Sequence, residues 1–333
     1  MDSLSQLLLG AAVGYAVGGK QLGKKSLLIG GFAGTLPDLD VIPLSLFNDD
    51  YIMLKHHRGF SHSIIFSLFT PVIFAKFTQF IFKKLNFKCL SWLYFWAFLT
   101  HTFLDCFTTW GTQLFWPLSY RVALNSIFII DPLYTIWLLV GVVICSIIPI
   151  TQLSKNIIYS SLLISSLYLC LSLVIKQNIN LEFNRYFKYH NIQPISFMTR
   201  PTPFNLILWS ATAKTKDGYV LAFRSLFDST YDERPKFIPK PITHHPDFND
   251  SRSLFVKSVT NGYYITSVQE NGIYVHDLRF GSFNLFSDQF PAFIFTYQLQ
   301  KNKNNITHVT SVNPKMDNTN QLFGLLYKRI LSK

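Results

Sequence analysis

Three short stretches collect the side chains able to hold a metal ion: Gly34-Thr35-Leu36-Pro37-Asp38-Leu39-Asp40, His56-His57-Arg58-Gly59-Phe60-Ser61-His62-Ser63, and His101-Thr102-Phe103-Leu104-Asp105. Asp38 and Asp40 offer hard oxygen ligands. Alternate residues diverge in an extended chain, so both face one ion only if the chain turns, and Pro37 favours such a break by disfavouring helix at Leu36. A polar loop closing a helix hairpin is the competing reading of this stretch alone. His57 and His62 carry imidazoles that suit zinc and other transition ions, and Arg58 suits a phosphate or carboxylate held beside them. If residues 58–63 open the next helix, His62 falls four positions after Arg58 on the same side. His101 and Asp105 are also four apart, so a helix stacks them on one face. The same spacing serves a satisfied histidine with a capping aspartate. Both groups end an apolar run, where isolated burial is costly and coordination compensates.

Further along, Arg121 is read equally well as holding an anionic substrate or as snorkelling to lipid phosphate. Asp131 lies four residues inside the apolar segment 127–150, with metal binding or pairing with Arg121 or His101 as its alternatives. Cys89, Cys106, Cys145 and Cys170 show no CxxC spacing and read as small hydrophobes. Cys106, beside Asp105, stands as an alternative thiol ligand. No G-x-S-x-G elbow is present, which disfavours a serine hydrolase.

The elements that must position these residues are membrane helices. Of the 333 residues 49% are hydrophobic and 14% charged, about half the charged fraction of a soluble domain. Two modest apolar segments, 4–17 and 26–36, are short for a crossing that needs about 20 helical residues. Their glycines, among them Gly10, Gly14, Gly30 and Gly34, allow close backbone approach. Residues 60–82, 90–104, 127–150 and 157–175 read as four stronger spans. Folded in that order, they bring the polar clusters to one membrane face and set Lys83, Lys84, Lys88 and Lys155 at the other. Positive-inside bias then puts the clusters, and everything after Ile175, outside the cytoplasm of a bacterial cytoplasmic membrane. The net charge of +12 is dispersed and lacks a zinc-finger or helix-turn-helix signature, so no nucleic-acid partner is expected.

After Ile175 the chain becomes polar. Asp217-Gly218, Asn261-Gly262 and Asn271-Gly272 lie between apolar or aromatic stretches and read as hairpin turns. The expected architecture is an α-helical integral membrane domain over 1–175, a linker over 176–196, and a smaller strand-rich extramembrane domain over 197–333, with 234–247 as a proline-bearing loop.

Taken as an ordered set, Leu36-Pro37-Asp38-Leu39-Asp40, His57-Arg58-Gly59-Phe60-Ser61-His62-Ser63 and His101-Thr102-Phe103-Leu104-Asp105 with Gly111 resemble the YdjM-like family of membrane-bound, predicted metal-dependent hydrolases. The resemblance covers about residues 1–175. Pro201-Thr202-Pro203-Phe204-Asn205 and Asp277-Leu278-Arg279-Phe280-Gly281 are similar to a polar extension of longer members. It implies a multi-helix membrane fold and a metal site carried by Asp38, Asp40, His57, His62, His101 and Asp105, with His56 less secure. The expected function is hydrolysis of a lipid-linked or membrane-adjacent ester, a phosphoester in preference. A divalent ion, zinc first and manganese or another transition metal next, is expected on Asp38, His57, His62, His101 and Asp105. Asp38 or Asp40 would act as base and Arg58 would neutralise the anion. The partner is a membrane lipid or lipid-linked molecule, and the sequence names no protein partner. A metal-binding scaffold and a metal or proton transporter are the rival classes.

Overall fold

The computed structural model describes residues 1–240, 249–282, 292–301, 307–312 and 319–331. The chain divides into a helical unit of Met1–Leu44, His56–Ile175 and Pro203–Asn205, and a second unit of Ser45–Lys55, Lys176–Thr202 and Leu206–Lys333. An N-terminal α-helical membrane-spanning region is thus followed by a smaller, β-sheet-rich extramembrane domain.

The helical unit opens with α1 (Ser3–Leu22), capped by Asp2, whose carboxylate accepts from the Ser5 amide, and α2 (Lys25–Thr35). The two cross backbone to backbone. A β-carbon at Gly10 would run into the Gly30 carbonyl oxygen, and one at Gly30 into that of Gly10. A 3-10 turn over Leu36–Asp40, with Pro37 in its first turn, leads into α3 (Val41–Ser45) and then α4 (Asp50–His56). A second 3-10 turn, Phe60–His62, precedes α5 (Ile64–Ile81). The expected helix start at 58–63 does not occur. Arg58 takes a left-handed φ of 58°, and Ser63 caps α5 by accepting from the Phe66 amide at 3.0 Å, so the helix begins after His62.

Among the described residues, three helical stretches are long and apolar enough to cross a membrane: Lys25–Ser45, Ile64–Ile81 and Gln152–Tyr189. Helix α7 (Pro132–Ile147) is apolar but shorter. The outer face of α5 bears exposed Phe69, Ile73 and Phe80, the pattern of a helix solvated by lipid. Helix α6 (Phe87–Cys106), read from sequence as a strong span, is not among the three, because His101, Thr102 and Asp105 dilute its apolar character. It is instead the buried centre of the unit. Leu90, Leu93 and Phe98 are fully enclosed against Phe66 and Phe74 of α5 and Ala33 of α2. Helix α8 (Gln152–Tyr189) runs through residues 176–189 before β1 begins at Ser196.

Among the described residues, the second unit holds two antiparallel four-stranded sheets. The first runs β1 (Ser196–Pro201), β2 (Leu208–Lys214), β3 (Gly218–Ser225), β4 (Lys236–Pro239) in order, and the second β5 (Tyr264–Gln269), β6 (Gly272–Ser282), β7 (Phe293–Lys301), β8 (Thr307–Val312). Tyr219, Leu221 and Ile238 of the first pack with Ile265, Leu278 and Phe293 of the second. Asp217-Gly218 and Asn271-Gly272 form the expected hairpin turns, joining β2 to β3 and β5 to β6. Asn261-Gly262 does not. It ends α9 (Ser251–Val259) with two left-handed residues, φ 53° and 78°, because Asp250 caps a helix here by accepting from the Arg252 and Ser253 amides. Within the expected 234–247 loop, 236–239 form edge strand β4, and 241–247 lie outside the described residues. Helix α10 (Thr319–Ile330) follows the sheets.

Candidate metal centre

The turn after α2 carries Asp38, the turn before α5 carries His62, and the last turns of α6 carry His101 and Asp105. One ligand atom from each of these four lies within 4.8 Å of the other three. His62 Nε2 stands 3.1 Å from His101 Nε2, 3.1 Å from Asp38 Oδ1 and 3.5 Å from Asp105 Oδ2. His101 Nε2 is 3.6 Å from Asp38 Oδ1. His62, His101 and Asp105 are enclosed, while the side chains of Asp38, Asp40 and His57 retain 21%, 16% and 29% of their surface. The cluster therefore has a floor and a mouth.

The outer hydrogen bonds decide what the inner nitrogens present. His101 Nδ1 lies 2.6 Å from the Gly34 carbonyl, which only accepts, so Nδ1 carries the proton and Nε2 a lone pair. Ser61 donates its hydroxyl proton to Asp40 Oδ2 at 2.6 Å, so the same oxygen accepts from His62 Nδ1 at 2.9 Å. In the neutral imidazole, His62 Nε2 is then a second lone pair, aimed at the first and flanked by two carboxylates. Burial opposes charge on His62, but Asp105 and Asp38 outweigh it and hold the imidazole above its ordinary value. A proton on Nε2 would satisfy one neighbour. Asp105 Oδ2, the farther neighbour at 3.5 Å, would keep the Arg58 Nε at 3.2 Å as its nearest cation. A cation among the four satisfies every donor atom at once, and two imidazoles with two carboxylates suit a divalent transition ion. The residues fit a metal.

Around this core the groups expected from the sequence take distinct places. His57 Nδ1 donates to Asp40 Oδ1 at 2.7 Å, and Asp40 also accepts from the Arg58 amide at 3.3 Å. His57 thus stands beside the four-atom cluster, its ring centroid 5.9 Å from that of His62. Arg58 is buried with Nε 3.2 Å from Asp105 Oδ2 and Nη1 donating to Thr108. Arg121 donates to the His57 carbonyl at 2.9 Å. The cluster contains no cysteine; the Cys106 thiol donates to the Thr102 carbonyl.

Asp131 is settled by its partners. It caps α7 through the Leu133 and Tyr134 amides, and the Tyr168 hydroxyl lies 2.9 and 3.0 Å from its two oxygens. Among the described residues it pairs with neither Arg121 nor His101 and joins no ligand cluster.

Sequence reasoning missed three contributors. Gln6, fully buried on α1, donates Nε2 to Asp105 Oδ1 at 2.9 Å and to the His101 carbonyl at 3.3 Å. The Met1 amino group also pairs with Asp105 Oδ1. The third is the Gly34 carbonyl. A glutamine inside the apolar α1 run was the available signal for the first, whereas a backbone carbonyl leaves none.

The N-terminal part of the chain is similar to known proteins. The relatives include an uncharacterised protein, YfhP, of Bacillus subtilis (strain 168), 33% identical over 141 residues, which are 40% of this chain and 42% of the relative. They also include the inner membrane protein YbcI of Escherichia coli (strain K12), 30% identical over 105 residues, 31% of this chain and 59% of the relative. The chain therefore spans only about half the length of these curated relatives. No solved structure matches. The model of the family described as YdjM inner membrane protein matches residues 1–179, more than half of the chain, and takes in all four cluster residues. This chain belongs to the YdjM inner membrane protein family.

Proposed function

We propose that this protein is a membrane-bound, metal-dependent hydrolase acting on a lipid-linked or membrane-adjacent ester, a phosphoester in preference to a carboxylic ester. The observation that carries the reading is the pair of imidazole lone pairs facing each other between two carboxylates, with the mouth of the cluster lined by a histidine–aspartate pair. Asp38, His62, His101 and Asp105 would hold the ion, zinc first and manganese next by donor type. A divalent ion bound there lowers the pKa of water and polarises the scissile group.

The chain's own residues supply the rest. Asp40 fixes the His57 tautomer, so that Nε2 is the atom that takes up and returns a proton at the mouth, and this is the role we assign to His57 in place of coordination. Arg58 holds Asp105 in place and lends positive charge to the anionic site. The partly exposed Asp38 marks the side from which an ester headgroup enters. By the positive-inside rule, Lys83, Lys84, Lys88 and Lys155 put this mouth away from the cytoplasm.

A structural ion is the second reading, favoured by the presence of four protein donors, enough to close a tetrahedral site. Transport has lost its motive, since Asp131 serves as a cap. The deciding experiment measures metal content and turnover together on protein in lipid nanodiscs, with phosphodiester, phosphomonoester and carboxylic ester probes. Stoichiometric metal with phosphoester turnover, both lost in His101→Ala, supports the hydrolase. Stoichiometric metal without turnover of any probe supports the structural ion, and wild-type metal content in folded His101→Ala overturns the ligand set.

A further inference from the structure

Between α1, α2 and α7 runs a groove of about 360 Å³, lined by none of the metal-centre residues. Its depth comes from small side chains, for Ala11 of α1 is buried and Gly31 of α2 has no side chain to fill the space. Leu28 and Phe32 of α2 stand beside it, both exposed, and Val142 lines it from α7. One end is marked by a charge. Lys24, in the turn between α1 and α2, lines the groove and donates Nζ to the Ser146 and Ile147 carbonyls at 2.8 and 2.9 Å, which holds the ammonium against the C-terminal end of α7. From residue 24 to Phe32 the groove follows α2 for about 12 Å at helical rise. Asp38 and the metal centre lie past the far end of α2.

The same end of the helical unit carries further cations. A β-carbon at Gly23 would stand 3.7 Å from the Ile150 side chain, and Lys25 Nζ lies 5.8 Å from the Phe82 ring centroid. The α1–α2 turn therefore meets both the turn before α8 and the turn before α6. Residues 18–26, 82–88 and 147–156, which make these three turns, contain seven lysines and neither Asp nor Glu. An apolar recess facing a bilayer takes hydrocarbon, because water enters only where several polar partners await it and a bare void forfeits dispersion contacts. An alkyl chain laid along α2 from Phe32 ends beside Lys24, and the head it carries then sits among ammonium groups in turns that hold no carboxylate. Basic pockets between membrane helices select anionic headgroups on that ground.

We propose that the groove between α1, α2 and α7 seats an acyl chain of one anionic phospholipid, drawn from the leaflet on the lysine side, with Lys24 as the cation that meets its phosphate. The site is separate from the metal centre and its test is binding rather than turnover, so it stands or falls apart from the hydrolase reading.

Full-length protein in a non-ionic detergent is offered phosphatidylglycerol and phosphatidylcholine of equal chain length at equal concentration, and the retained lipid is counted by native mass spectrometry. Wild type is expected to retain one phosphatidylglycerol in preference to phosphatidylcholine. Lys24→Gln, which keeps a donor for the α7 carbonyls, should lose about fivefold of that preference, the worth of one lysine near an anionic headgroup, and Lys24→Arg should keep it. Val142→Trp fills the groove while every lysine stays, and it should lose the retained lipid with helix content unchanged by circular dichroism. Lys84→Gln, in the turn before α6 and outside the groove lining, should behave as wild type. Equal retention of the two lipids by wild type overturns the proposal, since the groove then takes any bulk chain. A preference that survives Lys24→Gln, or that falls as far in Lys84→Gln, also overturns it and assigns the effect to the basic surface at large. Lipid retained by folded Val142→Trp places the lipid elsewhere and overturns it too, a result that decides the matter even if Lys24→Gln does not fold.

Discussion

Replacing Gly34 by alanine tests whether the α1–α2 crossing sets the metal centre. A β-carbon at Gly34 would run into the Gln6 carbonyl oxygen and come within 2.9 Å of the Gly10 α-carbon, where ordinary contact begins at 3.4 Å. Both are backbone atoms in a helix and cannot swing aside, so α2 must move off α1 by about 0.5 Å or more. The Gly34 carbonyl moves with it. Its 2.6 Å bond to His101 Nδ1 then stretches toward the limit of about 3.2 Å for such a bond, and the tautomer that aims the Nε2 lone pair is no longer enforced. Loss of an outer partner of a ligating histidine costs about 10–100-fold in metal affinity. Gly31→Ala is the control, because its β-carbon would meet the Leu7 carbonyl at 3.4 Å, ordinary contact. Zinc competition against a chromogenic chelator, in nanodiscs with helix content followed by circular dichroism, should show the loss in Gly34→Ala and wild-type affinity in Gly31→Ala. Unchanged affinity in both would refute the link between the crossing and His101. Equal losses in both would assign the effect to helix packing in general.

Three further outcomes are expected. His57→Gln should keep its metal and lose about 10²–10⁴-fold in turnover of whichever ester proves to be the substrate; metal lost with the imidazole would return His57 to the ligands. Tyr168→Phe strips the buried Asp131 of its hydroxyl donor and should cost about 1–3 kcal/mol in unfolding, with metal content unchanged; a metal-depleted but equally stable protein would contradict the capping role. His276 is held down at about 4 by burial, against about 6.5 in the unfolded chain. The unfolded state therefore takes up the proton first. This histidine's contribution is fully present above about pH 6.5, declines as pH falls toward 4 and is flat below, at most about 3 kcal/mol in all. Unfolding followed against pH should be less steep over that window in His276→Gln, and identical slopes would remove His276 from the acid sensitivity.

The site was legible in the sequence to the extent that its chemistry resides in side chains. Asp38, His62, His101 and Asp105 were visible because ionisable groups beside apolar runs require partners, and the i, i+4 spacing of His101 and Asp105 fixed their common face. The division of labour among the remaining groups was not legible. Whether His57 or His62 turns inward depends on the left-handed turn at Arg58, which no residue type in that stretch demands. The hidden Gln6 arrives from α1 only because four glycines let two backbones touch. In the second unit, Asp217-Gly218 and Asn271-Gly272 were legible as hairpins, since each joined two runs of strand-forming residues. Asn261-Gly262 has the same turn chemistry, but Asp250 starts a helix ahead of it, and a glycine after an asparagine ends a helix as readily as it turns a hairpin. The burial of α6 at the centre followed from polar residues that lower its apolarity, which a search for spans treats as a weakness.

The placement of Asp40 as acceptor for His57, Ser61 and the Arg58 amide has a consequence in time. The carboxylates of the first cluster leave the ribosome well before their partners, and the last two donors of the site follow only with the end of α6. At synthesis rates of about 5–20 residues per second, Asp38 waits for a few seconds before the His101 of α6 has been made. Asp40 has its donors His57, Ser61 and the Arg58 amide within the next turn of chain, whereas Asp38 lacks the His101 imidazole until α6 follows. Insertion and site assembly are thus successive events, and a nascent chain halted after α5 would present Asp38 with no imidazole of α6 to meet it.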